Sequence, residues 1–321
     1  METKLTLITQ NLRTSGSQKG IQGERGGGIN EVYSRSRRFR KMVQKHRPDV
    51  IFAQEGTPGW IAFFENDPYF LENYTVLYHW RAEGLQVINE GTPLLFKKDR
   101  FEFLDGGHFW LSATPDRVSE SYEAGEGHIR ISSWAKLKEK TTGQVCTFFT
   151  THVDTNGITP MASIKQYTDQ FEKMGKDAFA FVGGDYNFTY RGPVYEQVVD
   201  WNKFQDMQDI ALNMSRAGLC KLGTLKGTLT GGWKDEISPD PNPGRMRQLD
   251  YIMAKPNPRF AVDSYEVEYT HFDLPEENVK PGYISDHYGI VAKVRIGTDA
   301  DYSAYQCRYK EEEGELLPTV L

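Results

Sequence analysis

The sequence has few cysteines and no long apolar run. Its three cysteines, Cys146, Cys220 and Cys307, lie far apart, which predicts neither a disulfide framework nor a cysteine zinc site. No stretch of about 18 apolar residues occurs, so we expect no membrane-spanning helix. The apolar run at residues 5–8 is too short for a signal-peptide core, which favours a cytoplasmic location.

Positive charge is also scarce. The 321 residues contain 38 Lys and Arg against 44 Asp and Glu, a net charge of −6, so a uniformly basic nucleic-acid binder is not expected. The aromatic content of 13% argues against a disordered chain. Because we find no repeat, low-complexity tract or clear linker, we predict one monomeric domain, residues 1–298, followed by an acidic C-terminal extension, residues 299–321.

One segment reverses the acidic balance. From Arg13 to Arg47 there are ten basic and two acidic residues, a local charge of +8. Val32, Phe39 and Val43 recur at helical spacing and predict a helix over residues 30–46. Two interpretations of its charges stay open, a solvated helix face or a basic rim that attracts an anionic substrate. The charges concerned are those of Arg35, Arg37, Arg38, Arg40 and Lys41.

Short apolar strands recur along the chain, and polar residues follow each of them. The run at residues 5–8 leads to Asn11, and the run at 50–53 leads to Glu55. Further members of this pattern are His152, Asp185 with Asn187, Asp250, and Asp286 with His287. A single carboxylate after a strand is typical of a loop cap or a salt-bridge partner. Several acids brought together would repel one another unless a cation or a proton neutralised them.

Other segments complete the predicted order of elements. Residues 131–137 and 145–151 predict a hairpin that turns at Thr142-Gly143. We predict helices from Ser163 to Gly175 and over 195–201, a buried strand at 178–182, and a long loop over 218–242. Two last core strands are expected at 249–253 and 290–296, which gives a mixed α and β domain.

The polar residues at the strand ends suit one kind of chemistry. Carboxylate and amide oxygens are the ligands preferred by Mg²⁺, Mn²⁺ or Ca²⁺. The two histidines of the set, His152 and His287, suit a general base and a donor to the transition state, and Asp250 suits a partner that holds one imidazole in a fixed tautomer. The set therefore predicts metal-assisted hydrolysis of a phosphoester.

At these residues the chain resembles the endonuclease/exonuclease/phosphatase superfamily over residues 4 to about 297. The segments that carry the resemblance, in chain order, are Thr9-Gln10-Asn11, Pro48-Asp49-Val50-Ile51 with Gln54-Glu55, Asn89-Glu90-Gly91, Phe109-Trp110-Leu111-Ser112, Arg130 before Ser133-Trp134-Ala135, Thr151-His152-Val153-Asp154, Gly184-Asp185-Tyr186-Asn187, Leu249-Asp250-Tyr251-Ile252 and Ser285-Asp286-His287. The resemblance implies an α/β fold, a four-layer α/β/β/α sandwich of two mostly antiparallel sheets with outer helices.

The resemblance also implies a role for each site residue. Glu55, with Asn11 and Asp286, is expected to hold the divalent cation. Asp185 and Asn187 are expected to orient the attacking water and the phosphate.

The histidines and the remaining polar residues have implied roles as well. His287 is expected to be the general base, with Asp250 on its other ring nitrogen, and His152 to donate to a phosphate oxygen or the leaving group, with Glu90 as its partner. Arg130 and Asn11 are expected to contact the substrate phosphate. The expected cofactor is Mg²⁺, for which Mn²⁺ or Ca²⁺ would substitute.

The sequence leaves the substrate open among three classes of function. The Gly-rich stretch at residues 23–28 lacks the Gly-Lys-Ser/Thr of a nucleotide P-loop. A phosphatase or phosphodiesterase acting on a phosphorylated small molecule or lipid headgroup is favoured by the negative net charge. A metal-dependent nuclease acting on DNA or RNA is the alternative, and a catalytically inactive binding protein is the third class.

Overall fold

The computed structural model describes residues 1–14, 32–82, 89–121, 128–155, 169–196, 204–225, 227–229, 247–279 and 281–310. In chain order the elements are β1 Thr3–Asn11, α1 Tyr33–His46, β2 Val50–Gln54, α2 Pro58–Asn66, α3 Pro68–Asn73, β3 Tyr74–Leu77, β4 Leu94–Lys97, β5 Phe101–Trp110, β6 Ile131–Glu139, β7 Val145–His152, β8 Phe179–Asp185, β9 Gln205–Asp206, α4 Met207–Arg216, β10 Lys221–Leu222, β11 Asp250–Ala254, β12 Phe260–Glu268 and β13 Gly289–Ile296. No helix within these ranges is long and apolar enough to cross a membrane.

Two sheets form the body of the protein. One has the strand order β10-β12-β13-β1-β2-β4-β3 and the other β5-β6-β7-β8-β11-β9. Most neighbouring strands are antiparallel, whereas β1 with β2, β7 with β8, and β10 with β12 are parallel. The sheets are therefore mixed but mostly antiparallel, as the resemblance implied.

The sheets pack face to face through large apolar side chains. Leu7 and Phe52 from the first sheet lie in one buried cluster with Phe148, Phe181 and Ile252 from the second. Strands β2, β8 and β11 are buried along their whole length because both faces of the sheets are covered there. The space between the sheets therefore forms the central core.

Helices and loops cover the outer faces. On the first sheet Phe39 of α1, Trp60 of α2 and Phe70 of α3 share a buried cluster with Ile8 and Ile51. A separate cluster covers the second sheet and includes Phe149, Val182, Phe171, Phe204 and Tyr195. The four-layer α/β/β/α sandwich is confirmed.

Several predicted elements are confirmed with longer bounds, and others were missed. The hairpin of β6 and β7 turns at Gly143, whose φ of +74° explains the glycine. The predicted loop over 218–242 contains the short strand β10 in its described part. Helices α2, α3 and α4 and strand β12 were not predicted. The first six residues of the helix expected from Ser163, most of the helix over 195–201, and residues 311–321 lie outside the described residues.

The two interpretations of the basic helix both require correction. Arg35 and Arg38 on α1 are fully buried, so neither belongs to a solvated face or an open rim. Arg40 pairs with Asp67 and Glu276 at 2.8 Å and 2.7 Å. Only part of the predicted positive charge is therefore available to a ligand in the described part of this segment.

Candidate active site

The register of the second sheet brings three of the predicted site residues together. Strands β7 and β8 are parallel and place His152 opposite Asp185. Strands β8 and β11 are antiparallel and place Asp250 opposite the same Asp185. Residues 33 and 65 positions apart thus lie side by side at one end of the sheet, with Asp185 in the middle.

The first sheet contributes the residues that face Asp185. Because β1 and β2 run parallel with Asn11 opposite Gln54, Glu55 lies just beyond the end of β2. The Asn11 side-chain Nδ2 donates to Glu55 Oε1 and to Asp185 Oδ2, both at 2.9 Å. Asn11 therefore links the acidic residues of the two sheets directly.

Glu55 is held by the backbone as well as by Asn11. Its φ of +55° places it in the left-handed region, which is uncommon for a residue other than glycine. The backbone N–H of Thr14 donates to Glu55 Oε2 at 2.6 Å. Both carboxylate oxygens of Glu55 thus have a donor, and the side chain has a fixed direction.

His287 reaches the same end of the sandwich from the segment before β13. Its Nδ1 donates to Asp250 Oδ2 at 2.8 Å, and both side chains are buried. Its backbone carbonyl accepts from the side chain of Gln10 at 2.9 Å. The ring is thereby fixed with Nε2 directed at Asp185 Oδ2, 3.8 Å away.

Asp185 is the centre of the arrangement. Its Oδ2 lies 3.6 Å from His152 Nε2, in addition to the contacts with Asn11 and His287. Its Oδ1 accepts the backbone N–H of Asn187 at 2.9 Å. Asn187 has a φ of +52°, and its side chain donates to the carbonyl of Val153 at 2.8 Å. The Asp-Tyr-Asn segment therefore forms an Asx-type turn that also positions Asp185.

Burial shifts the titration of the central groups. It raises the pKa of Asp185 to about 7; the imidazole of His287 opposes this shift and the Asp250 carboxylate adds to it. Burial alone would lower the pKa of His287, but the carboxylates of Asp250 and Asp185 raise it well above its usual range. Burial and the Arg130 guanidinium lower the pKa of His152 well below its usual range.

The surroundings therefore favour different protonation states of the two histidines. The imidazole of His287 is stabilised as a cation between two carboxylates, whereas His152 is held neutral beside arginines. Groups whose environments push their pKa values apart are typical of acid–base catalysis.

A small pocket of about 160 Å³ opens beside His152. Arg130 lines it together with Glu90 and Arg81, and Gly91, Thr92 and Ile131 complete its walls. The Arg130 side chain is buried, and its Nε has no hydrogen-bond partner in the described part of the chain. Such a donor is costly unless a ligand satisfies it, so the pocket suits an anion.

Glu90 lies in this pocket but contacts Arg81 rather than His152. The two form a hydrogen-bonded ion pair, and burial followed by the charge of Glu55 raises the pKa of Glu90. No hydrogen bond between Glu90 and His152 is formed among the described residues. The structure therefore brings Glu90 to the site with a different neighbour from the expected one.

Asp286 has a separate position at the rim. Its Oδ2 lies 3.7 Å from Nε of Arg13, in the turn that follows Asn11. Two groups of possible metal ligands occur among the described residues, and Asp286 belongs to neither. They are Glu55 with His152 and Asp185, and Asp185 with Asp250 and His287, with ligand atoms within 4.8 Å of one another.

The donor set fits a divalent cation. The carboxylates of Glu55 and Asp185 are linked through one amide and lie in a partly buried cleft, where hard oxygen ligands select cations of the Mg²⁺ type. The Asn11 amide nitrogen faces both carboxylates, while its oxygen accepts the Arg13 backbone N–H at 2.8 Å. In this arrangement Asn11 orients the acidic residues.

Three supporting residues were not predicted. Arg81 lines the pocket, Gln10 holds the His287 backbone, and the hydroxyl of Thr228 accepts the backbone N–H of Asp250 at 3.1 Å. Gln10 lies next to Asn11 at the end of β1, so the strand-end pattern was sufficient to find it. Arg81 and Thr228 carry no such signal in the sequence.

The geometry is that of a metal-dependent phosphoester hydrolase, with Asp185 between the two histidines and linked through Asn11 to Glu55. A sequence model of the Endonuclease/Exonuclease/phosphatase family matches residues 21–287. The chain belongs to this family, whose members are metal-dependent phosphoesterases. No curated protein matches the chain.

Solved structures share the fold. An endonuclease/exonuclease/phosphatase family protein from Bacteroides thetaiotaomicron is 24% identical with a TM-score of 0.71, over 92% of this chain and 99% of the other. The mannosyl-6-phosphatase of the same organism is also 24% identical, with a TM-score of 0.69 over 90% and 99%. The D. rerio TDP2 complexed with a single-strand DNA product is 15% identical, with a TM-score of 0.60 over 91% and 99%.

Proposed function

We propose that the protein is a Mg²⁺-dependent phosphatase or phosphodiesterase that acts on a phosphorylated small molecule or lipid headgroup. The observation that carries the proposal is the position of the Asp185 carboxylate. It contacts Asn11, the residue that also binds Glu55, and it faces both His152 and the His287–Asp250 pair. This single centre brings together cation ligands and acid–base groups.

Glu55 is the proposed principal ligand of the cation, with Asn11 and Asp286 beside it. When bound, the cation would neutralise the charge that develops on the non-bridging oxygens of the phosphate. Asn11 and the Thr14 amide fix the direction of the Glu55 carboxylate. Asp286 lies across the turn, facing Arg13.

Asp185 and His287 are proposed to prepare the attacking water. The Nε2 of His287 and the Oδ2 of Asp185 lie 3.8 Å apart, and a water that bridges them donates to Asp185 Oδ2 and accepts from Nε2 while His287 is protonated. Asp250 holds the His287 ring through Nδ1, so that Nε2 faces the water and takes its proton in the form of His287 that has lost its own Nε2 proton. The water then attacks phosphorus in line with the leaving group.

His152, Asn187 and Arg130 are proposed to bind the phosphate. The neutral His152 has a ring N–H to donate to a phosphate oxygen or to the leaving group, and the backbone N–H of Asn187 binds Asp185 Oδ1. Arg130 supplies a buried donor with no partner of its own in the described residues. Glu90, ion-paired with Arg81, is the proposed acidic partner on this side of the cleft.

A small substrate is favoured over nucleic acid. The pocket beside His152 is small and lined by Arg81 and Arg130, whose guanidinium groups suit one phosphate group. The two fully buried arginines of α1 and the ion-paired Arg40 are not available to contact a nucleic-acid backbone. The similarity to a mannosyl-6-phosphatase supports a sugar phosphate as the first substrate to test.

Location, oligomeric state and domain bounds complete the proposal. We propose a cytoplasmic monomer whose catalytic domain covers residues 1–298, with residues 299–321 as an extension. Part of this extension packs on the domain, because Tyr309 is buried and its carbonyl accepts from Arg191 at 3.1 Å.

A substrate panel tests the proposed function. The purified protein is incubated with Mg²⁺ or Mn²⁺ and with mannose 6-phosphate, inositol phosphates, sphingomyelin, bis-p-nitrophenyl phosphate, plasmid DNA and RNA, and D185A serves as the contamination control. Release of phosphate or headgroup from a small substrate, abolished in D185A, is the expected result. Cleavage of DNA or RNA alone, with a steep dependence on salt, would establish the nuclease alternative.

A further inference from the structure

Arg35 is a fully buried arginine on the apolar face of α1. Its guanidinium lies 5.4 Å from the ring centroid of Trp60, and the side chain has no exposed surface. Burying a guanidinium costs free energy unless its N–H groups are hydrogen-bonded. The position is therefore one at which a leucine or methionine would be expected if packing alone were required.

The guanidinium donates to the turn that follows β1. Arg35 Nη1 donates to the carbonyl of Leu12 in a short hydrogen bond and to the carbonyl of Arg13 at 3.3 Å. The indole Nε1 of Trp60 also donates to the Arg13 carbonyl, at 3.3 Å. Two buried side chains from α1 and α2 thus hold the turn from its inner side.

The same turn holds the acidic residues of the active site from its other side. Arg13 has a φ of +57°, a conformation that persists only where the surroundings enforce it. Its N–H donates to Asn11 Oδ1 at 2.8 Å, and the N–H of Thr14 donates to Glu55 Oε2 at 2.6 Å. A shift of the turn would therefore move both Asn11 and Glu55.

We propose that Arg35 is a positioning residue for the cation site. It holds the turn from Leu12 to Thr14, in which Arg13 is left-handed, so that the Thr14 amide is directed to Glu55. The Asn11 amide is then free to bridge Glu55 and Asp185. The inference rests on the proposed function, because it takes Glu55 as the principal ligand.

Arg38 provides a matched control on the same helix. It is also fully buried and lies one helical turn after Arg35, but the hydrogen bond described for its guanidinium goes to the carbonyl of Ser34 within α1, at 3.2 Å. Replacement of either arginine by methionine removes a buried guanidinium of the same size. Only R35M removes the donor to the turn.

The test measures Mn²⁺ binding by titration calorimetry without substrate, below the melting temperature of each variant. We expect R35M to raise the Kd for Mn²⁺ by about 10- to 100-fold, as is typical when a residue that orients a metal ligand is lost. R38M is expected to lower the melting temperature comparably and to change the Kd by less than about twofold. Equal changes of the Kd in R35M and R38M, or a wild-type Kd in R35M, would overturn the proposal.

A second measurement uses neither metal nor activity. Amide hydrogen exchange of the peptide that covers residues 11–14 is expected to rise in R35M and to stay unchanged in R38M, because only the former frees the turn. If R35M fails to fold, W60F removes the indole donor to Arg13 and keeps an aromatic ring at this position. It is expected to raise both the exchange and the Kd, and unchanged values would contradict the proposal.

The design separates this inference from the proposed function. If the wild-type protein binds no Mn²⁺, or if E55Q binds it as tightly as the wild type, the assignment of Glu55 is wrong. If E55Q abolishes binding while R35M leaves both the Kd and the exchange unchanged, only the role of Arg35 is wrong.

Discussion

The imidazole of His287 lies with Nδ1 2.8 Å from Oδ2 of Asp250, and both side chains are buried. This contact fixes which ring nitrogen faces the cleft, because the other one is occupied by the carboxylate. The second oxygen of Asp250, Oδ1, is buried and has no hydrogen-bond partner in the described residues. The carboxylate thus directs its charge mainly to one imidazole.

Replacement of Asp250 by asparagine is expected to lower kcat by about 10²–10⁴, since it removes both the tautomer preference and the charge that stabilises the imidazolium. KM is expected to change much less. Steady-state kinetics on the best small substrate checks this.

A second aspartate–histidine contact provides the control for D250N. The buried Asp154 Oδ1 lies 2.8 Å from Nδ1 of His128, whose side chain is exposed and lies outside the central cluster. D154N is expected to lower the melting temperature and to leave kcat within about tenfold. A similar loss of kcat in D154N and D250N would show that the Asp250 effect is structural.

Removal of His152 tests its role as a neutral donor. H152A is expected to lower kcat by about 10²–10³, the usual cost of one lost donor to the transition state, and H152Q to restore part of it because glutamine keeps an N–H. Since the lowered pKa keeps His152 neutral at the pH of the assay, the limbs of the pH–rate profile should not move in H152Q. A shift of a limb in this variant would contradict the assignment.

The pattern of polar residues after apolar strands predicted most of the site, because it depends on local alternation that the sequence displays. Asn11, Glu55, His152, Asp185, Asp250 and His287 all meet at one end of the sandwich. The partner of Glu90 could not be predicted in this way. Arg81 is separated from it by only nine positions, but nothing in the sequence indicates that the two backbones pair there.

The burial of Arg35 could have been found. It lies four residues before Phe39 and eight before Val43, which puts it on the apolar face of the predicted helix. Both interpretations of the basic helix followed the charge of Arg35 and disregarded its position on the apolar face. Helix α4 also had a signal that was missed, since Asp206 caps it by accepting the backbone N–H of Gln208.

The close approach of the two sheets predicts a stability effect at Gly183. A Cβ at this position would lie 2.3 Å from the ring of Phe52, whereas one at Gly107 would lie 3.4 Å from its nearest neighbour, Trp134. G183A is expected to lower the free energy of unfolding by about 1–3 kcal/mol through overpacking. Urea unfolding checks this against G107A, and an equal effect of both substitutions would contradict it.

A buried acidic residue away from the site predicts a pH effect on stability. Burial, with the Asp209 carboxylate adjacent, raises the pKa of Asp206 to about 8 from 3.8. The folded state therefore binds this proton more tightly than the unfolded state, and the stabilisation is present in full below pH 3.8 and lost as the pH rises to about 8.

D206N should not lose this stability as the pH rises, because the asparagine amide is never charged. Its oxygen can still accept from the backbone N–H of Gln208. The melting temperature of D206N relative to wild type is expected to rise from pH 5 to pH 9. The exposed Asp116 is the control, and D116N should follow the wild type at every pH. Parallel curves for D206N and the wild type would contradict the prediction.

The most direct test of the account is the rate of phosphoester hydrolysis by the wild-type protein and by D185A, each with Mg²⁺ and with a chelator, on the small substrate that the panel identifies. Because Asp185 lies at the centre of the site, we predict activity only in the wild type with metal, and a loss of at least about 10²-fold in D185A. Full activity in D185A, or equal activity of the wild type with and without metal, would contradict the account.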